Sequence, residues 1–351
     1  MAGPAQDLLS RGEAGDIDAQ IALGRAYEAE NNVRLARGWF SRAAKAGSTE
    51  AMRALAVNLL SRQPIVERDG VGMIQMAAHR GDAQAAYICG LLAAQDRNLQ
   101  NRWEIALACL GDATERGLPG AGKELSLITG RDGAHTASTA FDIGAFTSAL
   151  PLEEISASPR LSILRRCLRA DMCDWLMAQC RPRLERAPVY DPVTGGSRIE
   201  GARSNSQVTM DVLNSNFVVM LLRERIAASV GLPTTSLEVT SILRYKVGEE
   251  FTPHFDFFDS DTVGYSREVA ERGQRIATVL VYLNEDFEGG ETEFPKINLS
   301  HRGRKGDALL FWNVDASGRP DPATFHAGRP PTRGEKWVVS QWLRDRSGSA
   351  D

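Results

Sequence analysis

A repeated pattern in the first part of the chain restricts the fold more than any other feature. Four similar lines are headed by Gly15, Gly47, Gly81 and Gly117, at intervals of 32, 34 and 36 residues. Each glycine follows a helical stretch, such as Leu35 to Ala46 or Trp103 to Arg116, as a helix C-cap would. Repeats of this length predict stacked helix-turn-helix units, because one unit cannot bury its apolar stripe alone.

The repeated lines also resemble a known repeat family. The pattern Ala-x-x-Gly-Asp-x-x-Ala, clearest from Ala78 to Ala85, resembles Sel1-like repeats of tetratricopeptide length. The resemblance implies an α-helical solenoid over residues 1–128, with a degraded fourth unit as its cap. Its exposed surface is expected to hold a protein or peptide partner, or else the repeats are a structural extension that supports the rest of the chain or pairs two chains.

A second group of chemistry-bearing residues lies between Leu237 and Leu343. Alternate side chains of a strand share one face, so His254 and Asp256 are expected to project together. His326 supplies a third candidate ligand. Two histidines and one carboxylate form the facial triad of non-haem Fe(II) oxygenases, so these three residues predict an iron site.

The neighbouring strands supply polar groups for the same site. A strand predicted from Glu335 to Trp342 places Lys336 and Trp342 on one face. Two further predicted strands carry Thr278 and Tyr245. A buried lysine needs an anion, and in an oxygenase that anion would be the distal carboxylate of 2-oxoglutarate.

Several strings of the second half resemble the catalytic domain of prolyl 4-hydroxylases. They are Arg244-Tyr245, "PHFD", "ATVLVYLN", "GGETEFP", "KGDALLFW", "HAG" and "GEKWVVSQW", and they follow the order of that family. The resemblance implies a double-stranded β-helix (jelly-roll) domain with flanking helices over residues 159–346. It also implies Fe(II), 2-oxoglutarate and O2, with ascorbate as a candidate reductant.

The resemblance assigns roles to individual residues. The implied iron ligands are His254, Asp256 and His326. The implied 2-oxoglutarate ligands are Lys336, Tyr245, Thr278 and Trp342. Arg203 would contact the substrate, although Arg203-Ser204-Asn205 departs from the Arg-Thr-Ser of the family.

The leading hypothesis is a dioxygenase that hydroxylates an unactivated C–H bond of a prolyl residue in a peptide or protein and releases succinate and CO2. One alternative is a hydroxylase of a free amino acid or small metabolite. Another is a catalytically idle binding protein that senses iron or 2-oxoglutarate. The intact triad and Lys336 favour an enzyme, since an idle domain has no need to keep them all.

Composition excludes some partners. The net charge of −4 and the isoelectric point of about 5.9 give no electrostatic footprint for nucleic acid or an anionic membrane. The sequence has no run of about 18 apolar residues, and its start lacks the features of a signal peptide. A cytoplasmic protein is therefore expected.

The remaining segments are interpreted more coarsely. Residues 129–158 are expected to be a linker and 347–351 a tail. Helices are expected from Arg160 to Arg186 and from Asp211 to Ser229. The charged insert from Asp259 to Arg275 is interpreted as a mobile lid or a solvated connection. The three other histidines are expected on the surface or in loops: His79, His135 and His301.

Overall fold

The computed structural model describes residues 4–62, 65–130, 142–191, 196–259 and 262–346. The chain divides into two compact units, Met1–Phe141 and Asp142–Asp351. The predicted order of a helical repeat followed by a jelly-roll unit is confirmed. The predicted domain boundaries remain a prediction, because residues 131–141 of the expected linker, with His135, lie outside the described ranges.

The described part of the first unit is helical throughout. Its helices are α1 (Pro4–Glu13), α2 (Ile17–Ala29), α3 (Val33–Lys45), α4 (Thr49–Ser61), α5 (Glu67–His79), α6 (Ala83–Gln95), α7 (Arg102–Glu115) and α8 (Ala121–Thr129). Each helix packs against the next one along the chain. Phe40 of α3 is fully buried and packs with Leu55 of α4, and Tyr27 of α2 and Met73 of α5 pack against this cluster, so the apolar stripes of neighbouring pairs share one core.

The four repeat glycines make the turns inside the helix pairs. Their φ angles lie between 78° and 101°, a left-handed backbone that favours glycine. In the first three pairs a polar residue follows the glycine and caps the second helix: Asp16, Ser48 and Asp82 each accept a hydrogen bond from a backbone N–H three residues on. The fourth pair lacks this cap, and α8 follows Gly120 without a side-chain hydrogen bond.

The second unit is built on antiparallel strands. Those from the first half of the unit are β1 (Glu153–Ala157), β2 (Arg160–Leu164), β3 (Glu185–Arg186), β4 (Val189–Asp191), β5 (Gly196–Arg198), β6 (Ser206–Met210), β7 (Thr240–Tyr245) and β8 (Phe251–His254). The others are β9 (Arg275–Tyr282), β10 (Glu288–Gly289), β11 (Thr292–Phe294), β12 (Leu299–His301), β13 (Ala308–Trp312), β14 (His326–Gly328), β15 (Pro331–Arg333) and β16 (Lys336–Arg344).

Two sheets form the body of this unit. The larger has the strand order β1-β2-β13-β9-β16-β7-β6-β3, and the smaller has the order β12-β11-β14-β8. The described strands do not close into a barrel. Side chains from both sheets share one core, in which Tyr282 and Phe311 of the larger sheet meet Phe294 of the smaller. The site described below lies where these two sheets face each other.

In the described ranges of this unit, four α-helices flank the strands: α9 (Gly144–Thr147), α10 (Ala170–Cys180), α11 (Phe217–Val230) and α12 (Val263–Arg272). The single helix expected from Arg160 to Arg186 is wrong in its first part, because β2 occupies residues 160–164. Leu161 and Ile163 of β2 are buried at a spacing of two, and β2 pairs with β13. Only the segment from Ala170 to Cys180 is α-helical, and β3 occupies the expected end of the helix.

The second expected helix begins later than the sequence pattern predicts. Asp211 does not start a helix, because its carboxylate accepts the backbone N–H groups of Leu213 and Asn214 in a turn. α11 starts after Asn216, whose side chain accepts the N–H of Val219, and it ends at Gly231 with φ 76°.

Part of the charged insert, which the sequence predicts to be a mobile lid or a solvated connection, forms the helix α12. Its role as a lid stays a prediction. Within α12, Arg267 pairs with Glu271 and Glu268 with Arg272, each four residues apart. Arg344 of β16 also bonds Glu268, at 2.7 Å. The sequence alone does not show these ion pairs, because the partner of each charge is set by helical spacing or by a strand that is distant in sequence.

The expected linker, the expected tail and the two described histidines outside the cluster can also be compared with the structure. The predicted linker 129–158 contains α9 and β1 in its second half, and the predicted tail 347–351 lies outside the described residues. His301 is a half-buried residue of β12 and not a loop residue. His79 is exposed at the end of α5, as expected. In the part of the chain that the structure describes, no helix is long and apolar enough to cross a membrane.

Candidate metal centre

The three predicted iron ligands meet at one point inside the second unit. One donor atom of each of His254, Asp256 and His326 lies within 4.8 Å of the others. The two carboxylate oxygens of Asp256 lie 3.6 Å from His254 Nε2 and 3.6 Å from His326 Nε2, respectively. The sequence pattern therefore predicts this cluster correctly, and the described residues contain no second group of this kind.

The backbone brings the ligands together in two ways. His254 of β8 is the direct cross-strand partner of His326 of β14, which places the imidazoles side by side. Asp256 is not on the same strand, contrary to expectation, because β8 ends at His254. Its carboxylate reaches the cluster from irregular backbone just past the strand.

Both imidazoles present the same nitrogen to the cluster. The Nδ1 of His254 lies 2.8 Å from the Thr252 carbonyl, and that of His326 lies 2.9 Å from the Thr324 carbonyl. A carbonyl only accepts, so each Nδ1 carries the proton and each Nε2 keeps its lone pair. Carbonyl partners of this kind orient imidazoles that ligate metals.

The charges at the cluster fit a divalent cation. Burial alone would raise the pKa of Asp256, but the neighbouring His326 and His254 rings and the hydrogen bond from the Thr278 hydroxyl hold this pKa well below its usual range. Burial lowers the pKa of His326 to about 4. At neutral pH the cluster thus offers one carboxylate and neutral imidazole, and a 2-His-1-carboxylate donor set fits Fe(II) with open positions.

A cleft opens over the cluster. Its wall carries the three candidate ligands and the alternate residues of β16 that the sequence places on one face. These are Lys336, Val338, Ser340 and Trp342. Phe311 and Phe294 pack against the His326 ring at 4.7 and 5.6 Å between centroids, which closes this side of the cluster with apolar surface.

Lys336 is a buried cation in the wall of this cleft. It is only 2% exposed, and burial lowers its pKa to about 7. Its Nζ lies 3.5 Å from Thr292 Oγ1 and over the Tyr245 ring at 5.2 Å. Among the described residues, no carboxylate lies within 4.0 Å of Nζ, so an anionic ligand would supply the missing counter-charge.

The remaining predicted cosubstrate residues differ in their positions. Tyr245 and Trp342 line the cleft. The Trp342 Nε1 is buried without a hydrogen-bond partner among the described residues, and the Arg275 guanidinium stacks on its ring at 3.7 Å. Thr278 is not a lining residue, because its hydroxyl donates to Asp256 Oδ2 at 2.7 Å. The assignment of Thr278 to 2-oxoglutarate therefore stays a prediction. In the structure its hydroxyl is bonded to Asp256.

Arg203 lies in the cleft wall and is 5% exposed. Its Nε donates to Asn205 Oδ1 and its Nη1 to the Pro188 carbonyl, both at 3.0 Å. The guanidinium also lies over the Phe251 ring at 4.8 Å, and burial lowers its pKa. Because both hydrogen-bond partners are neutral, Arg203 adds a second positive charge to the cleft.

Sequence reasoning did not single out Thr292 as a lining residue. Thr292 is 2% exposed, lines the cleft and bonds the Tyr282 hydroxyl at 3.0 Å. Thr292 lies in the "GGETEFP" string and could have been found there, but strand spacing alone does not show that its hydroxyl faces Lys336.

Comparison with known proteins agrees with this site. A model of the 2OG-Fe(II) oxygenase superfamily matches residues 240–344. Prolyl 4-hydroxylase 1 of Arabidopsis thaliana is 35% identical over 211 residues, which cover 56% of this chain and 73% of that protein. The fold and site thus define a 2-oxoglutarate- and Fe(II)-dependent oxygenase. Within that class, the chain belongs to the prolyl 4-hydroxylase family and is a 2-oxoglutarate-dependent dioxygenase.

Two solved structures are also similar to parts of the chain. The 2-oxoglutarate complex of the viral collagen prolyl hydroxylase from Paramecium bursaria Chlorella virus-1 has 25% identity and a TM-score of 0.41 over 52% of this chain and 95% of that one. A Sel1 repeat protein from Oxalobacter formigenes has 24% identity and a TM-score of 0.30 over 34% of this chain and 95% of that one.

Proposed function

We propose that this protein hydroxylates a prolyl residue of a peptide or protein and converts 2-oxoglutarate and O2 into succinate and CO2. The observation that carries the proposal is Lys336, a buried cation without a carboxylate partner, in the same cleft as a metal-binding triad. 2-Oxoglutarate fits both features, because one end chelates a metal and the other is a carboxylate. The name of the Arabidopsis relative supports a prolyl substrate.

In this proposal, His254, Asp256 and His326 hold Fe(II), which when bound supplies the chemistry that activates O2 for attack on a C–H bond. The Nδ1–carbonyl hydrogen bonds keep both imidazoles in the ligating tautomer. The aromatic rings around His326 keep bulk water away from the cluster.

The distal carboxylate of 2-oxoglutarate would lie against Lys336. Thr292 and Tyr245 are the neighbouring hydroxyl groups that can donate to it, since Thr292 Oγ1 is 3.5 Å from the lysine Nζ and Tyr245 is in the same wall. We therefore assign this end of the cosubstrate to Thr292 and not to Thr278. Trp342, with its unpaired Nε1–H, would complete the wall.

Arg203 is proposed to contact the substrate. It is held in the cleft by two neutral acceptors, and a peptide carbonyl is a suitable third partner for its guanidinium. A peptide substrate offers such carbonyls on both sides of the target residue. This assignment predicts that changing Arg203 raises the KM for peptide and leaves the 2-oxoglutarate affinity as it is.

The test is anaerobic reconstitution of the whole chain with Fe(II), followed by 2-oxoglutarate, O2 and proline-containing peptides. We expect succinate together with a peptide that has gained one oxygen atom, and neither product from His254→Ala. Succinate formed with free amino acids but not with peptides would indicate the small-molecule alternative. Binding of metal and 2-oxoglutarate with no succinate under any condition would contradict the enzymatic proposal and favour the idle sensor.

A further inference from the structure

The carboxylate ligand is supported differently from the two imidazoles. His254 and His326 lie on paired strands, so the ladder between β8 and β14 fixes their backbone. Asp256 lies two residues past the end of β8, and no ladder pairing holds it. Its side chain therefore needs another anchor if the triad is to keep a fixed geometry.

That anchor is a chain of two hydrogen bonds from the larger sheet. The Thr278 hydroxyl donates to Asp256 Oδ2 at 2.7 Å, and the Asn313 Nδ2 donates to the same hydroxyl oxygen at 3.0 Å. All three side chains are buried, with Thr278 1% exposed and Asn313 0% exposed. Water therefore does not compete for these bonds.

The donor and acceptor of each of these two hydrogen bonds follow from the charge of Asp256. An ionised carboxylate only accepts, so the Thr278 proton must point at Asp256. The threonine oxygen is then left as an acceptor, and only the amide nitrogen of Asn313 can satisfy it. The order Asn313, Thr278, Asp256 is thus fixed by chemistry as well as by distance.

Thr278 is well placed to hold a ligand still. It lies in β9 at the centre of the larger sheet, where it is paired with Phe311 of β13 on one side and Trp342 of β16 on the other. Asn313 is equally constrained, because its backbone N–H donates to the Ile276 carbonyl and its carbonyl accepts from Asp321. The two residues connect rigid backbone to the one ligand that lies outside the strands.

We infer that Thr278 and Asn313 are positioning residues for the metal-binding carboxylate: their hydrogen bonds hold the Asp256 side chain in place through Oδ2. This inference rests on the proposed iron site and gives Thr278 a role other than cosubstrate binding. Partners of this type change metal affinity by about 10- to 100-fold when they are removed.

The test compares divalent metal binding by the whole chain and its variants, with Mn(II) or Co(II) titrated anaerobically. Thr278→Val keeps the shape of the side chain and removes the hydroxyl, and we expect it to weaken metal binding by about 10-fold or more. Thr278→Ser restores the donor and should restore the affinity. At saturating metal, the Kd for 2-oxoglutarate should be the same in Thr278→Val and the unchanged protein.

A matched control is available in β7. Thr240 is also 1% exposed and its hydroxyl also bonds a side chain, Gln341 Oε1 at 2.6 Å, but it does not line the cleft. Thr240→Val should lose no metal affinity. Thermal unfolding of each variant shows whether it is folded, and Asn313→Ala provides a second variant that should weaken metal binding in the same sense.

The outcomes separate this inference from the proposed function. If the unchanged protein binds no metal at the triad, both fail. If it binds metal and Thr278→Val binds equally well, or if Thr278→Val loses 2-oxoglutarate affinity at saturating metal, only the positioning role is overturned. If Thr278→Val does not fold, normal metal affinity in Asn313→Ala overturns it.

Discussion

Lys336 places a buried ammonium group in the wall of the cleft. Burying an ammonium group without a carboxylate partner is unfavourable, which is why its pKa falls to about 7. A carboxylate of the dianionic 2-oxoglutarate, bound in the cleft, would offset the cost of burying this ammonium group. The affinity for 2-oxoglutarate should therefore depend on the charge of Lys336 and on pH.

The first concerns the charge itself. Lys336→Ala should weaken 2-oxoglutarate binding by about 2 kcal/mol or more, roughly 30-fold in Kd, because the buried carboxylate loses its partner. Calorimetric titration at saturating Mn(II) without O2 measures the effect. Lys296→Ala serves as the control, since that lysine is exposed and outside the cleft wall. Normal affinity in Lys336→Ala would contradict the assignment.

The second concerns pH. Below about 7 the lysine of the ligand-free protein is already protonated, whereas above this value a proton must be taken up when the carboxylate binds. The Kd for 2-oxoglutarate should therefore be flat below pH 7 and rise above it, by up to about tenfold per pH unit. The pKa of His326, about 4, keeps that ligand neutral throughout this range. Titrations from pH 6 to 9 test this, and Lys336→Met should abolish the slope.

At the scale of elements, α12 is held to the sheet by buried charges. Glu238 accepts from Arg275 at 2.6 Å and from Arg344 at 2.8 Å, and Arg344 in turn bonds Glu268 of α12 at 2.7 Å. Burial alone would raise the pKa of Glu238, but the two arginines hold it below its usual value. α12 is thus anchored to β16, the strand that carries Trp342.

Glu238→Gln should lower the free energy of unfolding by about 3 kcal/mol or more, because it leaves two buried guanidinium groups without their shared counter-charge. Urea unfolding at constant pH measures the change. Arg267→Ala is the control: its pair with Glu271 is on the surface, with an arginine side chain 80% exposed, and should contribute less than about 1 kcal/mol. Equal effects of the two variants would show that the buried network adds nothing.

Two glycines of the repeat unit should change its stability in opposite directions when they are replaced by alanine. Gly47 has φ 101°, so Gly47→Ala should destabilise the repeat unit by about 1–2 kcal/mol. Gly38 is exposed in the middle of α3 with open space around it, so Gly38→Ala should stabilise the unit by about 0.5–1 kcal/mol. Thermal unfolding of the two variants measures both. A shift in the same direction for both would contradict the left-handed turn.

At the scale of the whole molecule, all candidate site residues belong to the unit Asp142–Asp351. We expect residues 142–351, produced alone, to bind Mn(II) and 2-oxoglutarate with the affinities of the whole chain. Calorimetry on both proteins tests this, and the His254→Ala variant of the shorter one controls for binding elsewhere. Loss of binding in a folded fragment would show that the repeats complete the site, contrary to the predicted domain division.

Features that depend on local chemistry could be predicted from the amino-acid sequence alone. The repeat glycines mark turns because only glycine adopts their left-handed backbone without strain. The identities of His254, Asp256 and His326 define a facial triad wherever the chain brings them together. The strand pattern of β16 likewise predicts that Lys336 and Trp342 share a wall.

Contacts between side chains on different strands could be identified only in the folded structure. Thr278 and Thr292 are both strand threonines, and only the packing shows that one bonds Asp256 while the other faces Lys336. Glu268 of α12 accepts a hydrogen bond from Arg344, 76 residues further along the chain. The physical reason is the same in each case: hydrogen bonds and ion pairs between distant segments depend on strand pairing, and the periodicity of a single segment carries no information about its partners.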